Sequence, residues 1–203
     1  PTNGPKGGMY RDISCNKISG KTYLISNWTL LKGNGLGGNI FISSDGGASW
    51  NEIDNGLSGN PPFGLAHSNS NGNLALYTLD PLSPLSPSTI NRIYFSNNDG
   101  VVWSCMDSTT FVGNLSIVLK YNSTSDTLFA GQNSNGIRYS IDNGASWQFM
   151  NSGLSNLKVL DLEYGFQGNL YCCTDSMNSA NGGKIFVKNG ANWTNTSIGL
   201  PNT

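Results

Sequence analysis

Four tryptophans, each ending a short turn motif and lying 53, 44 and 46 residues apart, constrain this chain more than any other feature. The first motif reads Ser43-Ser-Asp45-Gly-Gly47-Ala-Ser49-Trp50, and the third reads Ser140-Ile-Asp142-Asn-Gly144-Ala-Ser146-Trp147. The second, Ser96-Asn-Asn98-Asp-Gly100-Val-Val-Trp103, has Asn where those two have Asp. The last, Phe186-Val-Lys188-Asn-Gly190-Ala-Asn192-Trp193, keeps only Gly and Trp. The context repeats with the motif. An apolar run precedes each one: Asn39-Ile-Phe-Ile, Arg92-Ile-Tyr-Phe, Gly136-Ile-Arg-Tyr and Lys184-Ile-Phe-Val. A Gly-Leu turn follows three of them, at Gly56, Gly153 and Gly199. Another apolar run stands earlier in the unit, in Asn73-Leu-Ala-Leu-Tyr, Thr127-Leu-Phe-Ala-Gly and Asn169-Leu-Tyr-Cys.

Self-similarity at such a period means stacked supersecondary units, and short alternating runs between Gly, Asn and Ser turns mean strands. The expected fold is an all-β propeller of four-stranded antiparallel blades. The blades run from about Met9 to Asn55, Pro62 to Phe111, Gly113 to Met150 and Leu157 to Ser197. They belong to a single propeller domain, or a fragment of one, over residues 1–203. Leu79–Ser88, with its three prolines, reads as an insertion between the second and third strands of blade two. The turn motif explains itself physically. Gly47, Gly100, Gly144 and Gly190 supply the positive φ of a tight hairpin. Asp45 and Asp142 accept hydrogen bonds from the turn's own amides. Trp50, Trp103, Trp147 and Trp193 open the outer strand, pack inward and each bring a large apolar area.

Ser-x-Asp-x-Gly-x-Ser-Trp at blade spacing resembles the Asp-box, or BNR, repeat over nearly the whole chain. The units look most like tandem repeats of secreted bacterial surface proteins. They are similar, less specifically, to the non-catalytic boxes of sialidases, xyloglucanases, sortilin-type receptors and a photosystem assembly factor. The resemblance implies that each box joins the third and fourth strands of its blade, on the rim and away from the functional centre. The box residues Ser43, Asp45, Gly47, Ser96, Asn98, Gly100, Ser140, Asp142, Gly144 and Gly190 are then structural.

The remaining chemistry is thin. Charged residues are 11% of the 203, with net charge -1, which gives no electrostatic reason to expect nucleic acid or an anionic membrane. No apolar run approaches the length of a membrane span. Beginning at Pro1, the chain reads as a mature or excised portion of something longer. The three arginines, Arg11, Arg92 and Arg138, match a sialidase triad in number, but two of them stand on the strand before a box. A glycosidase needs two carboxylates across a cleft. Asp161 and Glu163 alternate onto one face of the first strand of blade four, a strand that would line the central channel. The single histidine, His67, has no Gly-x-Ser-x-Gly elbow beside it. No Asp-rich loop argues for calcium, and no cofactor or metal site is expected.

Four cysteines lack C-x-x-C spacing, and Cys15 with Cys172 or Cys173 is a candidate disulfide between the first and last blades. Sequons at Asn27, Asn114, Asn122, Asn192 and Asn195 fit a secreted or cell-surface glycoprotein. The expectation is a non-catalytic extracellular module for structural assembly, adhesion or protein interaction, its partner a protein or another copy. The alternative is a carbohydrate-binding propeller, with Tyr10, Tyr77, Tyr121, Tyr139 and Tyr164 as candidate platforms. A fragment of a sialidase-like or xyloglucanase-like hydrolase comes third.

Overall fold

The computed structural model describes residues 9–29, 37–57, 61–78, 92–107, 117–122, 124–175 and 183–198. These form four four-stranded antiparallel sheets, each an up-and-down meander of consecutive strands. Sheet one holds β1 (Met9–Cys15), β2 (Thr22–Thr29), β3 (Gly37–Ser43) and β4 (Asn51–Glu52). Sheet two holds β5 (Pro62–His67), β6 (Leu74–Thr78), β7 (Arg92–Ser96) and β8 (Ser104–Asp107). Sheet three holds β9 (Ile117–Tyr121), β10 (Leu128–Gln132), β11 (Gly136–Ser140) and β12 (Gln148–Phe149). Sheet four holds β13 (Val159–Tyr164), β14 (Leu170–Thr174), β15 (Lys184–Asn189) and β16 (Asn192–Asn195). The fold is a β-propeller, and each sheet is a blade. The apolar runs noted before each turn motif are the third strands.

The turns hold themselves. Ser43 Oγ accepts the Gly47 N–H at 2.9 Å and donates to Asp45 Oδ1 at 2.8 Å. Asp45 in turn accepts the N–H and O–H of Ser49. Ser140, Asp142, Gly144 and Ser146 repeat the pattern bond for bond. In the second turn Asn98 Oδ1 replaces the carboxylate, accepting from Ser96 Oγ and the Val102 N–H. The fourth hairpin differs: Asn189 pairs with Asn192, leaving Gly190 and Ala191 as a two-residue loop.

These bonds hold both carboxylates near pKa 2, against an ordinary 3.8, with the Ser49 and Ser146 side chains as the largest cause. A depressed folded-state pKa stabilises above the unfolded value and loses that contribution as pH falls through the folded one. Unfolding midpoints of the wild type should therefore drop between about pH 4 and pH 2. The double variant Asp45→Asn/Asp142→Asn keeps the acceptor, as Asn98 does, and should fold with a flatter profile in that window. An unchanged pH profile would count against these bonds.

Alternation along each strand sends one row of side chains to the preceding blade and the other to the following blade. Three apolar clusters result. Tyr23, Ile25 and Ile40 of sheet one meet Leu74, Leu76, Tyr94 and Trp103 of sheet two. Ala75, Tyr77 and Ile93 of sheet two meet Leu119, Tyr121, Leu128 and Ala130 of sheet three. Phe129 and Ile137 of sheet three meet Leu162, Leu170, Cys172, Phe186 and Trp193 of sheet four. Each large apolar side chain among them is worth about 1.5–3 kcal/mol when fully buried, against about 0.5–1.5 for a hydrogen bond, so packing between blades holds the molecule together. Among the described residues no fourth cluster joins sheet four to sheet one.

Two tryptophans bolt neighbouring blades together. Trp103 Nε1 donates to Ile53 O at 2.6 Å, and its backbone N–H donates to Asn55 O at 3.0 Å. Trp193 does the same to Met150 O and Ser152 O, both at 2.8 Å. The receiving segments lead into the Gly56-Leu57 and Gly153-Leu154 turns. Gly56 and Gly153 hold φ of 96° and 90° with the tryptophan carbonyl directly against them.

The expectation that all four tryptophans pack inward is met in full by Trp103 and Trp193 and in part by Trp147, which lies against the cluster between sheets two and three. It is corrected for Trp50, which joins none of the three clusters. Trp103 and Trp193 are 3% exposed, whereas Trp50 and Trp147 are only half-buried. Trp147 turns back to donate to its own turn at Gly144 O. The expected Cys15–Cys172 bridge is corrected as well, since both are free thiols, as is Cys173. Cys172 points into the cluster against sheet three, away from the direction in which sheet one could meet it. Of the sequons, Asn27 lies within β2 and Asn114 lies outside the described residues. Asn122 follows β9 and caps its own turn by accepting from Thr124. The Leu79–Ser88 insertion also lies outside the described residues.

Candidate functional site

The first strand of every blade, β1, β5, β9 and β13, borders one axial cavity of about 640 Å³. Its wall carries most of the titratable groups near the axis. Arg11 on β1 stacks over the Phe63 ring at 4.3 Å and donates from Nε to Phe63 O at 3.3 Å. Asp12 Oδ2 accepts the Leu65 N–H at 3.2 Å, so two neighbouring β1 side chains clasp β5. Lys120 on β9 pairs with Glu163 on β13 at 2.7 Å. Burial pushes the Glu163 carboxyl up, but the Lys120 ammonium and the Tyr164 amide outweigh it and leave the pKa below the ordinary value. Asp161 also faces the cavity, its Oδ1 accepting the Leu162 N–H.

A smaller neighbouring cavity, about 290 Å³, is lined by Ser14, His67, Asn69, Lys120, Glu163 and Tyr164 among others. Here His67 stands between Ser14 Oγ, 2.8 Å from Nδ1, and Asn69 Oδ1, 3.1 Å from Nε2. The Asn69 carbonyl can only accept, so it fixes the proton on Nε2 and leaves Nδ1 to receive the Ser14 hydroxyl. Burial first, and the Lys120 charge after it, lower the His67 pKa against the opposing Asn69 bond. The ring is neutral near pH 7 and a weak base. Ser14 belongs to β1 and His67 to β5, so this relay also ties blade one to blade two. Asn16 Nδ2 to Ser68 O and the Lys21–Asp99 pair, both 2.9 Å or shorter, strengthen the same junction.

The structure gathers some of the residues singled out in the sequence and disperses others. Asp161, Glu163 and Arg11 do meet at the axis. Arg92 and Arg138 stand on third strands, and Arg138 lies over the Phe149 ring on the rim side. The turn residues Asp45 and Asp142 line neither cavity. Of the tyrosines, Tyr10 and Tyr77 line the larger cavity and Tyr121 and Tyr164 the smaller, while Tyr139 donates to Gln148 at 2.7 Å. Burial raises the Tyr164 hydroxyl to about 12. Phe63, Ser14 and Asn69 carried no sequence signal. Ser14 and His67 are 53 residues apart, and nothing local marks such a pair. A lone lysine within the apolar run Ile117–Tyr121 was the one available hint. Among the described residues no cluster of three His, Cys, Asp or Glu side chains could hold a metal ion.

No protein-family model matches the chain, and no curated protein matches it in sequence. Solved structures do match in shape. A GH74 enzyme from Niastella koreensis aligns with TM-score 0.63 and 18% identity, over 92% of this chain and 30% of that one. The GH74 xyloglucanase from Xanthomonas campestris aligns with TM-score 0.64 and 13% identity, over 97% of this chain and 33% of that one. YCF48 from Cyanidioschyzon merolae aligns with TM-score 0.58 and 12% identity, over 94% of this chain and 57% of that one. The chain thus spans less than two thirds of each, and at these identities the likeness is one of fold.

Proposed function

We propose that the chain is a non-catalytic extracellular module of Asp-box blades whose role is assembly, adhesion or protein interaction. The observation that carries this reading is the state of the axial carboxylates. A glycosidase general acid needs a carboxyl with a raised pKa facing a second carboxylate across the cleft. Glu163 is instead shifted down and tied to Lys120, Asp12 is held by a backbone amide of β5, and Asp161 by the amide of Leu162. The Glu163 and Asp12 bonds fasten blades to one another, and the Asp161 bond closes within its own strand. Asp45 and Asp142 are equally occupied within their own turns. Secretion or display at the cell surface is part of the same proposal, supported by the sequons and by the likeness of the repeats to surface proteins.

The shape match to GH74 enzymes makes hydrolysis the test. Purified chain incubated with xyloglucan and a panel of β-glucans should release no reducing ends above the blank. Turnover that Glu163→Gln abolishes while the fold survives would overturn the reading. One observation favours a second role, carbohydrate binding. The axial cavity sets Tyr10 and Phe63 beside Arg11, Lys120 and Glu163, an aromatic surface with polar groups around it. Calorimetric titration with oligosaccharides should then give heats that Phe63→Ala removes.

A further inference from the structure

The two terminal blades each present an apolar face that the repeat itself identifies as half of a blade–blade junction. In β2, β6 and β10 the residues turned toward the following blade are Tyr23 and Ile25, Ala75 and Tyr77, and Phe129 and Gly131. The side chains among them are 0–3% exposed. On third strands the same face carries Ile40, Ile93 and Ile137, 0–1% exposed. By strand register the corresponding residues of sheet four are Tyr171, Cys173 and Ile185, which lie side by side across β14 and β15. All three are half-buried only.

The opposite row tells the same story at the other end. Leu76 with Tyr94, and Cys172 with Phe186, face the preceding blade and are 0–2% exposed. The equivalent pair in sheet one is Leu24 with Phe41, both half-buried, flanked by Ile13 at 62% exposure. Ile13, Leu24 and Phe41 run straight across β1, β2 and β3 by register.

We propose that a second copy of this chain seats its first blade on the fourth blade of its neighbour, repeating head to tail the junction used three times within the chain. The proposal rests on the interaction-module reading and names its partner. The two half-buried faces are the complementary halves of one established interface, so no new surface chemistry is required. Contact between different patches on two copies is heterologous, and it closes into a ring or extends as a filament according to the rotation at each junction. Two copies closing give eight blades, within the usual range of about four to eight for propellers.

Sedimentation of the purified chain over a range of concentrations should show a species of at least twice 21.7 kDa. Ile185→Asp spoils the fourth-blade face and Leu24→Asp the first-blade face. Each variant alone should run as a folded monomer, with self-association weakened at least ten-fold. An equimolar mixture should regain one junction and stop at a one-to-one dimer, because each variant keeps the half that the other lacks. Should either variant unfold, Cys173 serves as reporter without mutation. Its labelling by a small maleimide should slow as wild-type concentration rises.

A monomer at every soluble concentration, with Cys173 labelling independent of concentration, overturns the proposal. If Cys173 is then shielded, the chain's own first blade covers the face. If it reacts freely, the face belongs to a blade of another polypeptide. Mixed variants that fail to pair while the wild type associates overturn the head-to-tail geometry. Any of these leaves the non-catalytic reading standing, since that reading falls only on observed hydrolysis.

Discussion

Replacing Trp103 with alanine should lower the unfolding free energy by about 3–5 kcal/mol, the range for removing a buried aromatic side chain from a core. The indole is 3% exposed and belongs to the cluster between sheets one and two, beside Tyr23, Ile25 and Tyr94. Its loss also strands the Ile53 carbonyl, which accepts from Nε1 at 2.6 Å. The diagnostic comparison is Trp50→Ala. Trp50 occupies the same place in its turn but is half-buried, so its removal should cost clearly less. Urea titration followed by far-ultraviolet circular dichroism measures both. Equal losses would mean that the turn itself, rather than the junction with the preceding blade, draws stability from the tryptophan.

Gly153→Ala should be nearly as damaging, by about 3 kcal/mol, through a different cause. Its φ is 90°, where an L side chain is strained. A β-carbon there would lie 2.1 Å from the Trp193 carbonyl oxygen, so the backbone holding the third and fourth blades together must move. Gly168→Ala separates the two effects. That glycine has φ of 76° and open space around it, so its substitution should cost only the conformational strain, about 1–2 kcal/mol. If thermal melts place the two variants together, the close approach at Gly153 contributes nothing beyond its dihedral angle.

Most of the fold was legible because blade strands and turns are local objects. The run Arg92-Ile-Tyr-Phe, the serine and asparagine that follow, and the glycine after them suffice to define a strand and its turn. The Ser96, Asn98 and Gly100 bonds all close within four residues. The third strands therefore fell where the repeat put them. The candidate site was less legible. The alternation of Asp161 and Glu163 on an inner strand could be read directly. The ion pair to Lys120 could not, because it joins residues 43 positions apart on different blades. Likewise the Cys15–Cys172 pairing was a reasonable guess from blade order, yet side-chain direction decides it. Cys172 sits in the row that faces sheet three.

Sequence alone determined the unit: an antiparallel four-stranded blade, its hairpin chemistry, and how many times it recurs. Residues within a few positions of each other encode those features, through glycine dihedrals, side-chain-to-amide bonds and alternating polarity. Only the tertiary structure decided what the units do to one another. It showed which tryptophans reach across to a neighbouring blade and which charges cancel at the axis. It also showed that, among the described residues, three buried junctions serve four blades, leaving the equivalent face of each terminal blade only half-buried. The physical reason is that burial depends on which blade lies opposite. Equivalent repeat positions such as Phe129 and Tyr171 differ in burial according to whether another sheet packs against them.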